Sequence, residues 1–214
     1  MAFTNYTDLQ AAVLSWAWDR NTAQVADAIS LAHAEINLGL RVPFMEKTTD
    51  LTISSYRIAA PTDMAAVKRL WIDGSYDNPL TPTSPALLAD FRANYSSAQP
   101  QQYAIEGEFA SGATTGEYFV FGPDPGSTTY TGKLLYTQRL AAFSAGSDTN
   151  VVLARYPNLY LFGALAMMAS FEDEDGRYAK FVPQFAGLMA RINMQANADA
   201  MAGAVPMMMS PYTQ

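Results

Sequence analysis

The chain contains no cysteine. That absence excludes a disulfide framework, thiolate metal sites and a cysteine nucleophile. There is one histidine, His33, and nothing near it in sequence completes a catalytic triad or a zinc set; it is assigned a structural or surface role. Charge is scarce as well. Only 15% of the 214 residues are charged, against about 25% in an ordinary soluble domain. Thirteen basic residues face twenty acidic ones, for a net charge of −7. Apart from Lys68-Arg69 the basic residues are scattered singly, leaving no stripe to neutralise a phosphate backbone. Tight nucleic-acid binding is not expected, whereas an acidic surface suits DNA that passes without sticking. The longest apolar run, Leu159 to Phe171, falls short of the ~18 residues a membrane span needs. The opening MAFTNYTDLQ lacks a signal peptide's charged start and apolar core. A chain made in a cytoplasm and staying soluble, with no membrane contact, is the expectation.

Recognisable chemistry is missing too. Glycines occur singly or in turns, with no phosphate-cradling loop and no Gly-x-Ser-x-Gly. Glu172-Asp-Glu-Asp175 lacks the alternating ligands, central glycine and closing glutamate of a calcium loop, and reads as a solvated turn. No catalytic residue, metal or cofactor is expected.

What is present is apolar: half of the residues. With so little charge, much of the surface is expected to be covered by neighbouring subunits. Thr7 with Gln10 predicts a capping box opening a first helix, with Leu9, Val13, Trp16 and Ala17 on one face. Val25, Ile29, Ala32 and Ile36 follow at helical spacing, with Gly39 as a stop. From Thr48 the period becomes two: Leu51 and Ile53 share one parity, Tyr56 and Ile58 the other, which places a turn at Ser54-Ser55. Val67 to Ile72 predict another strand closing at Asp73-Gly74. Residues 74 to 146 carry short strand candidates at Tyr103–Ile105, Glu117–Phe121 and Lys133–Gln138. A short helix interrupts them, capped by Ser84 with Pro85 first and Leu87, Leu88 and Phe91 inward. A second helical pair runs from near Asp148 to about Met194. Its last helix aligns Tyr178, Phe181, Phe185, Leu188 and Ile192, with a kink or late start at Pro183.

The fold expected is α+β, mainly α. Two antiparallel helical pairs (residues 1–46 and 147–196) pack into a bundle, a small antiparallel β-lobe (47–146) is inserted, and 197–214 form an extended C-terminal tail. That tail is apolar, nearly uncharged and too short for a core of its own. Val205, Met207, Met208, Met209 and Tyr212 are therefore read as partner-binding residues, docking by strand addition or as a helix in a groove; a tail packed on its own domain is the alternative.

Several stretches, in order, resemble the head-to-tail adaptor (connector) family of tailed bacteriophages. They are Leu51-Thr-Ile53 after the first helical pair, Tyr56-Arg-Ile58-Ala-Ala-Pro61-Thr-Asp63-Met64, Leu70-Trp-Ile-Asp-Gly74 and Pro79-Leu-Thr-Pro-Thr-Ser84. Then come Tyr118-Phe-Val-Phe-Gly-Pro123, Leu134-Leu-Tyr136 and the hairpin Asn150…Pro157-Asn-Leu-Tyr160…Ala164-Leu165. The resemblance implies a virion structural protein rather than an enzyme: a ring, twelvefold like the portal, at the head–tail junction. It would dock below the portal, extend the DNA channel for transient passage of the genome, and receive the tail nozzle or fibres. The C-terminal tail would make the portal contact.

Two other readings stay open from the residues. A small hydrolase would use carboxylates of the β-lobe, Glu106, Glu108 or Glu117, as acid and base about 5–10 Å apart across a cleft. A host-binding tail module would display Trp16, Trp18 and Trp71 as an aromatic platform.

Overall fold

A computed structural model describes residues 4–17, 22–74, 79–94, 97–107, 116–171 and 175–201. The architecture is α+β, and the chain divides into two units: Met1–Phe44 with Leu140–Gln214, and Met45–Arg139.

The first unit is helical. Helix α1 spans Tyr6–Trp16, α2 Thr22–Gly39, α4 Val151–Arg155, α5 Pro157–Phe171 and α6 Asp175–Met201. Helix α5 carries no charged residue and is buried at almost every position from Leu159 to Ala169. An apolar helix of this kind has to be surrounded, and α1, α2, α4 and α6 all pack on it. Gly163 makes the closest approach possible. A Cβ at that position would lie 2.9 Å from the Phe185 ring of α6 and 3.0 Å from Ala32 of α2.

The ends of these helices depart from the expected signals in instructive ways. The α1 cap is Asn5, not Thr7: its side chain accepts from Asp8 N, and Asp8 in turn accepts from Thr4 N and Oγ1. Thr7 is already helical, and its hydroxyl donates to the Gly146 carbonyl at 3.0 Å. Leu9, Ala12 and Val13 are buried, but Trp16 is 55% exposed, because the helix ends there and its apolar stripe has no further partner. Asp148 does not start a helix. It folds back to accept from the Ser144 and Ala145 amides, and Asn150 caps α4 instead. Helix α6 begins at Asp175 and continues through Pro183, which removes one backbone bond without ending the helix. Phe181, Phe185 and Ile192 are buried as the spacing predicted; the Tyr178 side chain lies outside the described residues.

The second unit has three layers. Strands β1 (Glu46–Ile53), β7 (Tyr130–Gln138) and β3 (Met64–Ile72) form one antiparallel sheet in the order β1-β7-β3. Strands β2 (Arg57–Ala59), β6 (Tyr118–Gly122), β5 (Gln102–Glu106) and β4 (Thr81–Pro82) form the other, in the order β2-β6-β5-β4, with β4 parallel to β5. The parity change at Ser54-Ser55 marks the point where the chain leaves one sheet for the other. Alternation along the strands then separates two cores. Leu51, Ile53, Leu70, Leu134 and Tyr136 of the first sheet share a cluster with Tyr103, Phe119 and Phe121 of the second. On the reverse side of the second sheet, Ala104 and Val120 pack with Leu88 of α3 (Pro85–Asn94). Ser84 accepts from Leu87 N as the α3 cap. Leu88 is fully buried while Leu87 is 53% exposed, because α3 lays only a narrow stripe on the sheet; the Phe91 side chain lies outside the described residues.

Two glycines test this packing. Gly163→Leu would overpack the α2–α5–α6 crossing, and thermal unfolding should report a loss of about 1–3 kcal/mol. At Gly187 of α6 a Cβ meets nothing within 4 Å, so Gly187→Ala should raise stability by about 1 kcal/mol through helix propensity alone.

Candidate functional site

Each unit holds a polar lock, half-exposed in the sheet unit and buried in the helical one, and each lock joins segments distant in sequence. In the sheet unit, Pro61 to Met64 form a turn closed by Met64 N on the Pro61 carbonyl at 3.0 Å. Asp63 projects from it and accepts from Tyr136 Oη at 2.8 Å and Lys47 Nζ at 2.9 Å. Burial pushes the Asp63 carboxyl up, but the bonds from Lys47 and Tyr136 outweigh it and hold the group below its ordinary value. The Asp63 carbonyl also accepts from Arg139 N. One residue thereby ties the turn to β1 and to both the middle and the end of β7.

The helical lock centres on His33, which is 7% exposed. Tyr160 Oη accepts from Asn150 Nδ2 at 2.8 Å and lies 2.9 Å from His33 Nδ1. His33 Nε2 lies 3.2 Å from the Leu140 carbonyl and 3.0 Å from Asn37 Nδ2, and the ring's tautomer sets which of the two it bonds. Asn37 completes the ring: its Oδ1 accepts from Leu140 N at 2.7 Å and its Nδ2 donates to the Leu140 carbonyl at 3.3 Å. Phe143 lies against both His33 and Tyr160. Burial lowers the His33 pKa, opposed by the bond to Leu140, and burial drives the Tyr160 hydroxyl well above its ordinary range. Both locks act as structural ties, their described partners being side chains and backbone groups of the same unit.

The other candidates are dispersed. Glu106 and Tyr118 are register partners and share a side of their sheet. Glu117 lies just before β6, outside the strand. Glu106 lies 3.7 Å from Arg57 Nε and Glu117 4.0 Å from Arg139 Nη2; Glu108 lies outside the described residues. Each of the two described carboxylates thus stands beside an arginine. Among the described residues, a cleft of about 340 Å³ is lined by Ile72, Pro79, Leu80, Thr81, Gln99, Pro100 and Gln101, none of them titratable. Trp16 is exposed and Trp71 half-buried in β3, in different units, while Trp18 lies outside the described residues. So do Glu172 to Glu174 and the predicted partner-binding residues Val205, Met207, Met208, Met209 and Tyr212. Among the described residues no group of three acidic or histidine side chains is placed to hold a metal, and no helix is long and apolar enough to cross a membrane.

Of the five hydrogen-bonding side chains in these locks other than His33 and Asn37, four (Asp63, Tyr136, Asn150 and Tyr160) fall in the stretches that carried the sequence resemblance, and Lys47 is the exception. The match to known families covers the same ground: the SU10 adaptor protein family matches residues 4–208. The chain belongs to that family. No curated protein matches the chain. As an SU10 adaptor protein it is a structural phage adaptor, a virion component of the head–tail junction. The locks explain what the matching residues do physically. They hold a Pro-x-Asp turn on a strand and a helix cap on a helix face.

The helical lock titrates. The unfolded chain takes up a proton at His33 near its ordinary value of 6.5, whereas the folded chain takes it up only at lower pH. Stability is thus complete above the unfolded pKa and falls as pH drops below it. Urea unfolding between about pH 7 and pH 5 should show this loss. His33→Gln should flatten it, leaving a further acid limb below 3.8 from Asp8 and Asp148, whose carboxyls are held down by bonds from Thr4 and from the Ala145 and Ser144 amides. Tyr160→Phe strands His33 Nδ1 and Asn150 Nδ2 and should cost about 1–3 kcal/mol.

Proposed function

We propose that this adaptor assembles as a ring, twelvefold to match a portal, docks on the portal's lower face, extends the DNA channel and receives the tail nozzle or fibres. The observation that carries this reading is the family membership over residues 4–208. Composition supports it. A chain with 15% charged residues and half its residues apolar suits extensive burial against neighbours. A net charge of −7 suits a channel that must let DNA slide, because like charge repels it. The function is mechanical: stiff helices around α5 bear load, and the three-layered sheet unit offers surface to tail components.

The C-terminal segment, with Val205, Met207, Met208, Met209 and Tyr212, is assigned the portal contact. Methionine adapts to irregular partner surfaces, and the segment adds apolar area without adding charge to a channel wall.

Native mass spectrometry of the chain alone and with a portal ring tests this directly. The expected result is a ring of adaptor on portal in fixed stoichiometry; a monomer that ignores the portal overturns the reading. Because α6 continues to Met201, deletion of 202–214 is the cleaner truncation. It should abolish docking while leaving thermal stability unchanged, and undiminished docking would remove the segment from the interface.

A further inference from the structure

Helices α2 and α6 both bury one face on α5. They touch each other where Asn193 Nδ2 donates to the Gly39 carbonyl and Asn193 Oδ1 accepts from Arg41 N, each at 2.9 Å. With their inner faces on the same helix, their outer faces look away from it in different directions. Those outer faces are unusual. On α2, directly opposite buried Val25, Ile29 and Ile36, exposed Asp27, Leu31, Ala34 and Leu38 fall at i, i+4, i+7 and i+11. Leu31 is 40% and Leu38 70% exposed. On α6, opposite Phe181, Phe185 and Ile192, exposed Gly187, Ala190, Met194 and Ala198 fall at i, i+3, i+7 and i+11, and Met194 is 70% exposed.

The two faces complement each other in shape and in sign. The α2 face offers two large knobs seven residues apart, while the α6 face offers glycine and alanine, the small side chains that let a facing helix settle between ridges. The charged residues of α2 are Asp27 and Glu35, both acidic and both exposed. Beside the α6 stripe stand exposed Lys180 and Arg191, whereas Asp199 lies on the helix's other side, seven residues beyond Ile192. Two different faces on one subunit make a heterologous contact, the kind that generates rings when the rotation closes.

We infer that the outer face of α2 seats on the outer face of α6 of a second copy of this chain, with Leu31 and Leu38 against Gly187, Ala190 and Met194, and Asp27 and Glu35 toward Lys180 and Arg191. This rests on the ring reading above and specifies the surface that closes it.

The test uses full-length chain with a portal ring, read by native mass spectrometry, with thermal unfolding of each variant as the folding control. Asp27→Lys with Glu35→Lys should cut the ring fraction about tenfold, as should Lys180→Glu with Arg191→Glu, and the chain carrying all four changes should recover it. Gly187→Trp should keep the melting temperature, since among the described residues nothing lies within 4 Å of a Cβ there, yet block the ring. Wild-type rings accompanied by normal rings from both charge reversals and from Gly187→Trp would overturn this interface and leave the ring intact as a proposal. Failure of the fourfold variant to recover would also overturn the pairing. A wild-type chain that never forms rings would overturn both.

Discussion

The helical unit depends on the fact that α5 has no polar side. A helix whose residues from Leu159 to Ala169 are almost all buried cannot lie at a surface, so four other helices are drawn onto it. Burial of this apolar surface is the dominant favourable term, and it decides the rest. Gly163 has to be small because α2 and α6 both press on α5 there. His33 and Tyr160 have to satisfy each other because no water reaches them. The exposed apolar residues of α2 and α6 are what remains on the outside once their inner faces are spent.

The two polar locks show how a low-charge protein obtains a unique fold. Apolar packing alone tolerates sliding; a buried hydrogen-bond network does not, because a shifted register would leave its members unpaired. In the sheet unit Asp63 sets β7 against the Pro61 turn. In the helical unit Asn37 and His33 capture both polar groups of the Leu140 peptide unit's neighbourhood, its N–H and its carbonyl. Successive residues, Arg139 and Leu140, are thus each tied down within their own unit. In a structural adaptor such fixed points hold the shape of each unit.

Much of this was legible because it is periodic or local. The stripe Val25–Ile29–Ala32–Ile36 announces α2, the Leu51/Ile53 parity announces β1, and Ser84-Pro85 announces α3; all three are buried or capped as read. Two of the misreadings share one cause. Thr7 and Trp16 each have a plausible local role and were overridden by a partner far along the chain or by the end of the helix, while Asp148 keeps a local role in the turn just before α4. Thr7 bonds to Gly146, Asp148 serves the turn behind it, and Trp16 sits where the helix has run out of neighbours.

Sequence by itself determined the α+β composition, the lack of metal-binding sulfur and the apolar character of α5, since these follow from residue types and near-neighbour spacing. The ordered motifs also carried the family. Only tertiary structure decided that His33, which has no functional partner in sequence, meets Tyr160 across 127 positions, and that Glu106 and Glu117 each stand beside an arginine, Arg57 and Arg139. It alone decided which faces of α2 and α6 remain outside. The physical reason is that burial and hydrogen-bond satisfaction are properties of what surrounds a residue, and its surroundings are assembled from distant parts of the chain.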